Sequence, residues 1–173
     1  MRLAALLLAA STFTTANPHM AVNGWTSAET VAAGSPVTLS FEITPRRRIH
    51  VYAPGADYQV IAVTVDALPG MKTEDVVYPP SEIYHFEPTD ERVPVYQKAF
   101  TLTQRVTLGA DALKGRESVT LTGKIAYQAC DDRVCFKPNT IPFTFDLKVR
   151  TAKPGAQMSY VASNFSSGSP RGN

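Results

Sequence analysis

Cys130 and Cys135 are the only two cysteines in the 173-residue chain, and Asp131, Asp132, Arg133 and Val134 separate them. Two thiols within reach of one another can lose two electrons to form a disulfide and regain them on reduction. Spacing alone leaves three uses open: a redox couple, a structural staple, or, with His50 and His85, a thiolate and imidazole site for zinc or copper. A staple across so short a loop contributes only roughly 2 kcal/mol in the chain-entropy picture, less than a long-range bridge between sheets. The histidines stand far from the cysteines and lack a paired spacing, so we expect neither a metal nor a cofactor. Local charge separates the two sulfurs: Asp131 and Asp132 disfavour a thiolate at Cys130, whereas Arg133 and Lys137 flank Cys135 and favour one there.

The elements that must hold this pair read as strands. In Val37 to Ile43 the residues Val37, Leu39, Phe41 and Ile43 alternate with Thr38, Ser40 and Glu42, the period of a half-buried strand. The same period runs through Val119, Leu121, Ile125 and Tyr127, and through Ile141, Phe143, Phe145, Leu147 and Val149. Ile49 to Tyr52, Val60 to Val65 and Tyr96 to Leu102 are shorter apolar runs bounded by Pro, Gly or charged residues. Six or more strands in about 115 residues, with no convincing amphipathic helix among them, predict an all-β fold, an immunoglobulin-like antiparallel β-sandwich. The cysteines fall between the two most regular strands, where they flank a hairpin connection or a distorted strand pair. By parity from Val119, Cys130 lies off the face that carries Ile125 and Tyr127, placing its sulfur outside the main core.

The two ends differ from this body. Met1 and Arg2 precede the apolar run Leu3 to Ala10 and a small, hydroxylated stretch ending at Ala16, which predicts a secretory signal peptide over 1–16 cleaved after Ala16. The run is far shorter than the ~20 residues a bilayer span requires. The body then covers 17–150, and 151–173, rich in Ser, Gly, Ala and Asn, reads as a flexible tail. With 17 basic and 15 acidic residues the net charge is +2. That balance supplies no field to steer the chain toward nucleic acid or anionic lipid. The triplet Arg46-Arg47-Arg48 reads as a solvated turn. Export places the cysteines in an oxidising compartment where a disulfide persists.

The segment Tyr127-Gln128-Ala129-Cys130, a short polar insert, then Cys135-Phe136-Lys137-Pro138 and an alternating strand resembles the active-site region of the N-terminal periplasmic domain of the thiol:disulfide interchange protein DsbD. Strand Val37 to Ile43, Ile49-His50-Val51-Tyr52, Leu68-Pro69-Gly70, and Val95-Tyr96 leading into Phe100-Thr101-Leu102 follow in the family's order, over roughly residues 25 to 150. The resemblance implies an immunoglobulin-like sandwich and a periplasmic electron shuttle. Its cysteine pair takes reducing equivalents from a thioredoxin-like donor and passes them to a periplasmic disulfide isomerase or another oxidised thiol protein. It implies that Cys135 forms the intermolecular bond and Cys130 resolves it, with Tyr127 and Gln128 shaping the strand edge beneath the pair. Tyr52 and Tyr96 match aromatic positions near the family's site, where core packing would equally account for them. The family's aromatic cap corresponds to the stretch Tyr84 to Glu91, with Phe86 or Tyr84 as the lid. The insert between the cysteines is one residue shorter than in the family's best-known member. The contrasting reading is a noncatalytic immunoglobulin-like binding or assembly module whose disulfide is structural.

Overall fold

The computed structural model describes residues 11–150. The apolar run of the expected leader and the tail at 151–173 lie outside the described residues. Strands follow in the order β1 (Thr12–Ala16), β2 (Met20–Thr26), β3 (Thr30–Val31), β4 (Pro36–Pro45), β5 (His50–Tyr52), β6 (Ala62–Val65) and β7 (Lys72–Thr73). Then come β8 (Glu82–Phe86), β9 (Glu91–Tyr96), β10 (Phe100–Thr107), a single helical turn α1 (Ala110–Leu113), β11 (Ser118–Tyr127), β12 (Ala129–Cys130) and β13 (Asn139–Val149).

Side-chain alternation sets the layers. Val37, Leu39, Phe41 and Ile43 of β4 are buried, as are Val119, Leu121, Ile125 and Tyr127 of β11 and Ile141, Phe143, Phe145 and Leu147 of β13. One sheet runs β1-β2-β4-β10-β7 and a second β3-β13-β11-β6. Pairing in both is antiparallel except between β13 and β3. The inner faces of the two sheets meet in an aromatic layer, with the Phe41 ring 4.8 Å from Phe143 and 5.9 Å from Phe145. This is the immunoglobulin-like sandwich the alternation predicts. Each fully buried apolar side chain contributes roughly 1.5–3 kcal/mol, so a core of this breadth does not depend on a short-loop disulfide.

Three features depart from the sequence reading. The expected strand from Tyr96 to Leu102 is two strands, because exposed Gln97, Lys98 and Ala99 turn the chain out of β9 and into β10. Tyr96 and Phe100 then stack across that turn at 4.0 Å. Strand β2 shows no clean apolar alternation in sequence because Gly24 stands at an inward position, yet its residues alternate between buried and half-buried and it pairs with both β1 and β4. Strand β1 occupies Thr12–Ala16, the end of the expected leader, and its Phe13 ring joins the aromatic layer at 5.4 Å from Phe145. Gly24 is the cross-strand partner of Phe13, and a Cβ there would collide with the Phe13 ring. A cut after Ala16 would remove this strand.

A third, smaller sheet, β12-β5-β9-β8, stands beside the sandwich. It has its own apolar cluster of Tyr52, Val93, Val95 and Cys130, with Ala56 and Tyr84 packed against it. The hairpin of β11 and β13 joins the two regions: where the pairing ends at Tyr127 and Asn139, the intervening chain leaves the sandwich and adds β12 to β5.

Candidate functional site

Cys130 and Cys135 form a disulfide on this connection. Asp131 shapes the turn between them, its Oδ1 accepting the backbone N–H groups of Arg133 at 2.7 Å and Val134 at 2.8 Å. These bonds hold the Asp131 carboxyl below its ordinary value. An Asp can stabilise such a turn because its short side chain reaches the amides two and three residues ahead. The Asp131 N–H donates to the Val134 carbonyl at 2.9 Å, and the Phe136 N–H to the Ala129 carbonyl at 2.9 Å. Gln128 Nε2 donates to the Phe136 carbonyl at 3.1 Å. Both cysteines are thus held on a preformed loop. Cys130 is 1% exposed, inside the third-sheet cluster, whereas Cys135 is exposed. The parity argument placed the Cys130 sulfur outside the main core, and it lies in this second cluster.

Tyr52 sits under both sulfurs. Its hydroxyl is 3.1 Å from Cys130 Sγ and 3.2 Å from Cys135 Sγ. A disulfide sulfur carries no proton, so the hydroxyl is the donor, serving one sulfur or the other. Burial first, then the neighbouring Tyr58 and Glu91, push the Tyr52 pKa up to about 12. It therefore keeps its proton at neutral pH and can donate to whichever sulfur becomes a thiolate. A hydrogen bond to an ionised acceptor is roughly twice as strong as one between neutral groups.

A pocket opens over the pair, lined in part by His50, Tyr58, Tyr84, Phe86, Glu91 and Val134. The Tyr58 ring stacks on Tyr52 at 4.4 Å, and its hydroxyl donates to the Glu91 carboxylate at 2.7 and 2.9 Å. Tyr84 lies over His50 at 4.4 Å and donates to Asp132 at 3.4 Å. Asp132 also faces the Arg48 guanidinium at 3.3 Å. Arg48 ends the basic triplet with φ of 68°, and Arg46 Nε donates to the Asn17 carbonyl at 2.9 Å. The triplet is a turn, and two of its side chains make local contacts.

The expected site residues divide. Tyr52, Tyr84 and Phe86 line the pocket with the two cysteines, and Gln128 ties together the loop that carries them. Tyr127 and Tyr96 do not line it. Tyr127 is fully buried in the main core, its hydroxyl accepting a bond from Asn17 Nδ2 at 3.0 Å and lying 3.1 Å from His19 Nδ1. Tyr96 donates to the Pro79 carbonyl at 2.8 Å. His85 contacts Asp90 at 2.6 Å on the exposed surface and is absent from the pocket lining. Among the described residues no three His, Cys, Asp or Glu side chains gather to hold a metal ion. His50 and Tyr58 line the pocket without having been singled out from the sequence as parts of a redox site, and Glu91, the end of the expected cap stretch, lines it too. Tyr58 carried one signal, a second tyrosine close downstream of Tyr52.

Comparison with known proteins bears on the fold and the family. The N-terminal periplasmic domain of ScsB from Proteus mirabilis shares the fold with a TM-score of 0.51 at 13% identity, over 79% of this chain and 49% of that one. The chain thus spans about half the length of that structure. The yeast GGA1 GAE domain aligns with a TM-score of 0.42 at 10% identity, over 78% of this chain and 97% of that one. No curated protein matches the chain by sequence. Residues 22–147, from β2 through most of β13, match the family described as thiol:disulfide interchange protein DsbD, N-terminal, and to that family this chain belongs.

Proposed function

We propose that this protein is a periplasmic thiol–disulfide exchange module that relays reducing equivalents from a thioredoxin-like donor to an oxidised disulfide isomerase or another oxidised thiol protein. In this reading a leader exports the chain, and Cys135 is the sulfur that bonds to a partner while Cys130 resolves the mixed disulfide. The observation that carries the reading is the asymmetry of the bridge, one sulfur exposed and one buried, with a single protonated Tyr52 hydroxyl within reach of both. A donor thiolate attacks Cys135 Sγ, the bridge breaks, and Cys130 leaves as a thiolate beside Tyr52. A second donor thiol then frees Cys135 and completes the donor's own disulfide. Cys135 next attacks the acceptor's disulfide, and Cys130 closes back on Cys135 to release the reduced acceptor. Val134, 54% exposed beside Cys135, offers an incoming protein an apolar contact.

A redox titration, with stopped-flow exchange against a reduced thioredoxin, tests this. The expected potential lies well above the roughly −300 mV below which structural disulfides tend to sit, and exchange proceeds through a mixed disulfide. A lower potential with no exchange would leave the binding-module reading standing.

A further inference from the structure

Resolution of a mixed disulfide requires Cys130 to lose its proton, and Cys130 is poorly placed to lose it to water. It is 1% exposed and is followed directly by Asp131 and Asp132. Burial and neighbouring negative charge both disfavour a thiolate. Tyr52, which touches the sulfur, keeps its own proton and cannot serve as a base near neutral pH.

One nearby side chain has the missing property. His50 is the cross-strand partner of Cys130 in the pairing of β5 with β12, and both residues line the pocket. Side chains directly opposite on an antiparallel pair stand about 4.5–5.5 Å apart at Cβ, within reach of an imidazole. His50 is 4% exposed, held edge-on to Tyr52 at 6.0 Å and against Tyr84 at 4.4 Å. The side-chain hydrogen bonds formed around the pocket, by Tyr52, Tyr58 and Tyr84, do not engage its ring.

We infer that His50 is the proton acceptor for Cys130 in the resolving step. The inference rests on the exchange reading above and assigns it a base. As Cys130 Sγ attacks Cys135 Sγ, the Cys130–Cys135 bond forms and the bond from Cys135 to the partner's sulfur breaks. The electron pair leaves with the partner's sulfur, and the Cys130 proton passes to an imidazole nitrogen of His50, which later releases it to water. In the opposite half-reaction Cys130 is expelled as a thiolate beside Tyr52 and takes up its proton afterwards from water.

The surroundings suit a neutral base. Burial lowers the His50 pKa from its ordinary 6.5, against the carboxylates of Asp132 and then Asp131, which raise it. Arg48 is paired with Asp132 and weakens its influence. Arg133 borders the same pocket, Tyr52 and Tyr84 face the ring as neutral phenols, and the Glu91 carboxylate is engaged by Tyr58. His50 is therefore mainly unprotonated, and able to accept, at neutral pH.

Ellman's disulfide isolates the step. Oxidation of the reduced pair releases one equivalent of thionitrobenzoate when Cys135 attacks and a second when Cys130 resolves. His50→Gln should slow the second phase at pH 6–7 by about tenfold and leave the first nearly unchanged. The gap should narrow as pH rises beyond ~8.5, the ordinary thiol value, toward the higher pH at which the buried Cys130 ionises unaided. In the wild-type protein the second phase should also break at the His50 pKa measured by NMR, a readout that survives if the variant folds poorly. Equal second phases in both proteins across this range, or a wild-type profile with no break at the His50 pKa, would overturn the inference. Failure to exchange with thioredoxin would instead sink the exchange reading, since the Ellman reaction needs no protein partner.

Discussion

Cys135 is exposed while Cys130, bonded to it and five positions earlier, is 1% exposed. A protein partner can reach only the first of these sulfurs without displacing Tyr52, Tyr84 or the loop. Cys130→Ser should therefore accumulate a stable mixed disulfide through Cys135, whereas Cys135→Ser should trap little complex. Non-reducing electrophoresis with mass spectrometry of the adduct reads the outcome. An adduct mapping to Cys130 would exchange the two roles.

Removal of the Tyr52 hydroxyl tests the shared donor. Tyr52→Phe keeps the ring that stacks on Tyr58 and deletes the bond to the developing thiolate. A hydrogen bond to a charged group is worth about 1.5–3 kcal/mol, and about 1.4 kcal/mol is tenfold in rate. Reduction of the disulfide by dithiothreitol should slow at least tenfold with little change in melting temperature. An unchanged rate would show that the hydroxyl contributes nothing to leaving-group stabilisation.

Reduction itself should leave the sandwich standing. The bridge closes a short loop whose entropic effect is roughly 2 kcal/mol, and it lies outside the aromatic layer. Calorimetry of the reduced protein should show one cooperative transition lowered by less than about 10 °C. Loss of that transition would make the disulfide a staple.

The first strand can be tested by two changes that touch the same contact. Phe13→Ala empties a half-buried place in the aromatic layer and should cost roughly 2 kcal/mol, below the ~3–5 found for large aromatic truncations. Gly24→Ala drives a methyl group into the Phe13 ring and should cost about 1–3 kcal/mol. A chain beginning at Asn17 should lose the Phe13 contribution and become insensitive to Gly24→Ala. Urea unfolding of the wild type, the two variants, and the shortened chain with and without Gly24→Ala checks the set, and mass spectrometry of the exported chain locates the cut.

Stability should also register His50. Its folded pKa is depressed by burial, so well above pH 6.5 the imidazole is neutral in both states and adds no pH dependence. Below that, the unfolded chain binds the proton more readily, and stability falls until pH passes the folded value. His50→Gln should remove this part of the acid loss from a chemical-denaturation series between pH 4.5 and 7.5. An identical slope in both proteins would refute the assignment.

The sequence displayed what depends on neighbours along the chain. Alternation marked β4, β11 and β13, and the cysteine segment stood out because its residues are contiguous. Which aromatic residues face the sulfurs depends on register between strands. Val51 pairs with Tyr96 and Tyr52 with Val95, so Tyr52 and Tyr96 occupy opposite faces of one sheet. Only Tyr52 can reach the disulfide from there, although the family resemblance pointed to both. Tyr58 and Glu91 meet across more than thirty residues, a contact that no local pattern announces. Strand β1 was hidden for another reason: small and hydroxylated residues after an apolar run satisfy a peptidase and an edge strand alike.

The third sheet is built from short pieces, two residues in β12 and three in β5, with an apolar cluster separate from that of the sandwich. Protection against amide hydrogen exchange should therefore be graded across the molecule. Amides of β5 and β12 should open through local fluctuations that β4, β11 and β13 do not share. A protein docking at Cys135 would then meet a surface able to yield around the sulfurs while the scaffold behind it keeps its shape. Breathing at one core and rigidity at the other would let the reactive edge adapt to a partner without cost to the stability of the whole.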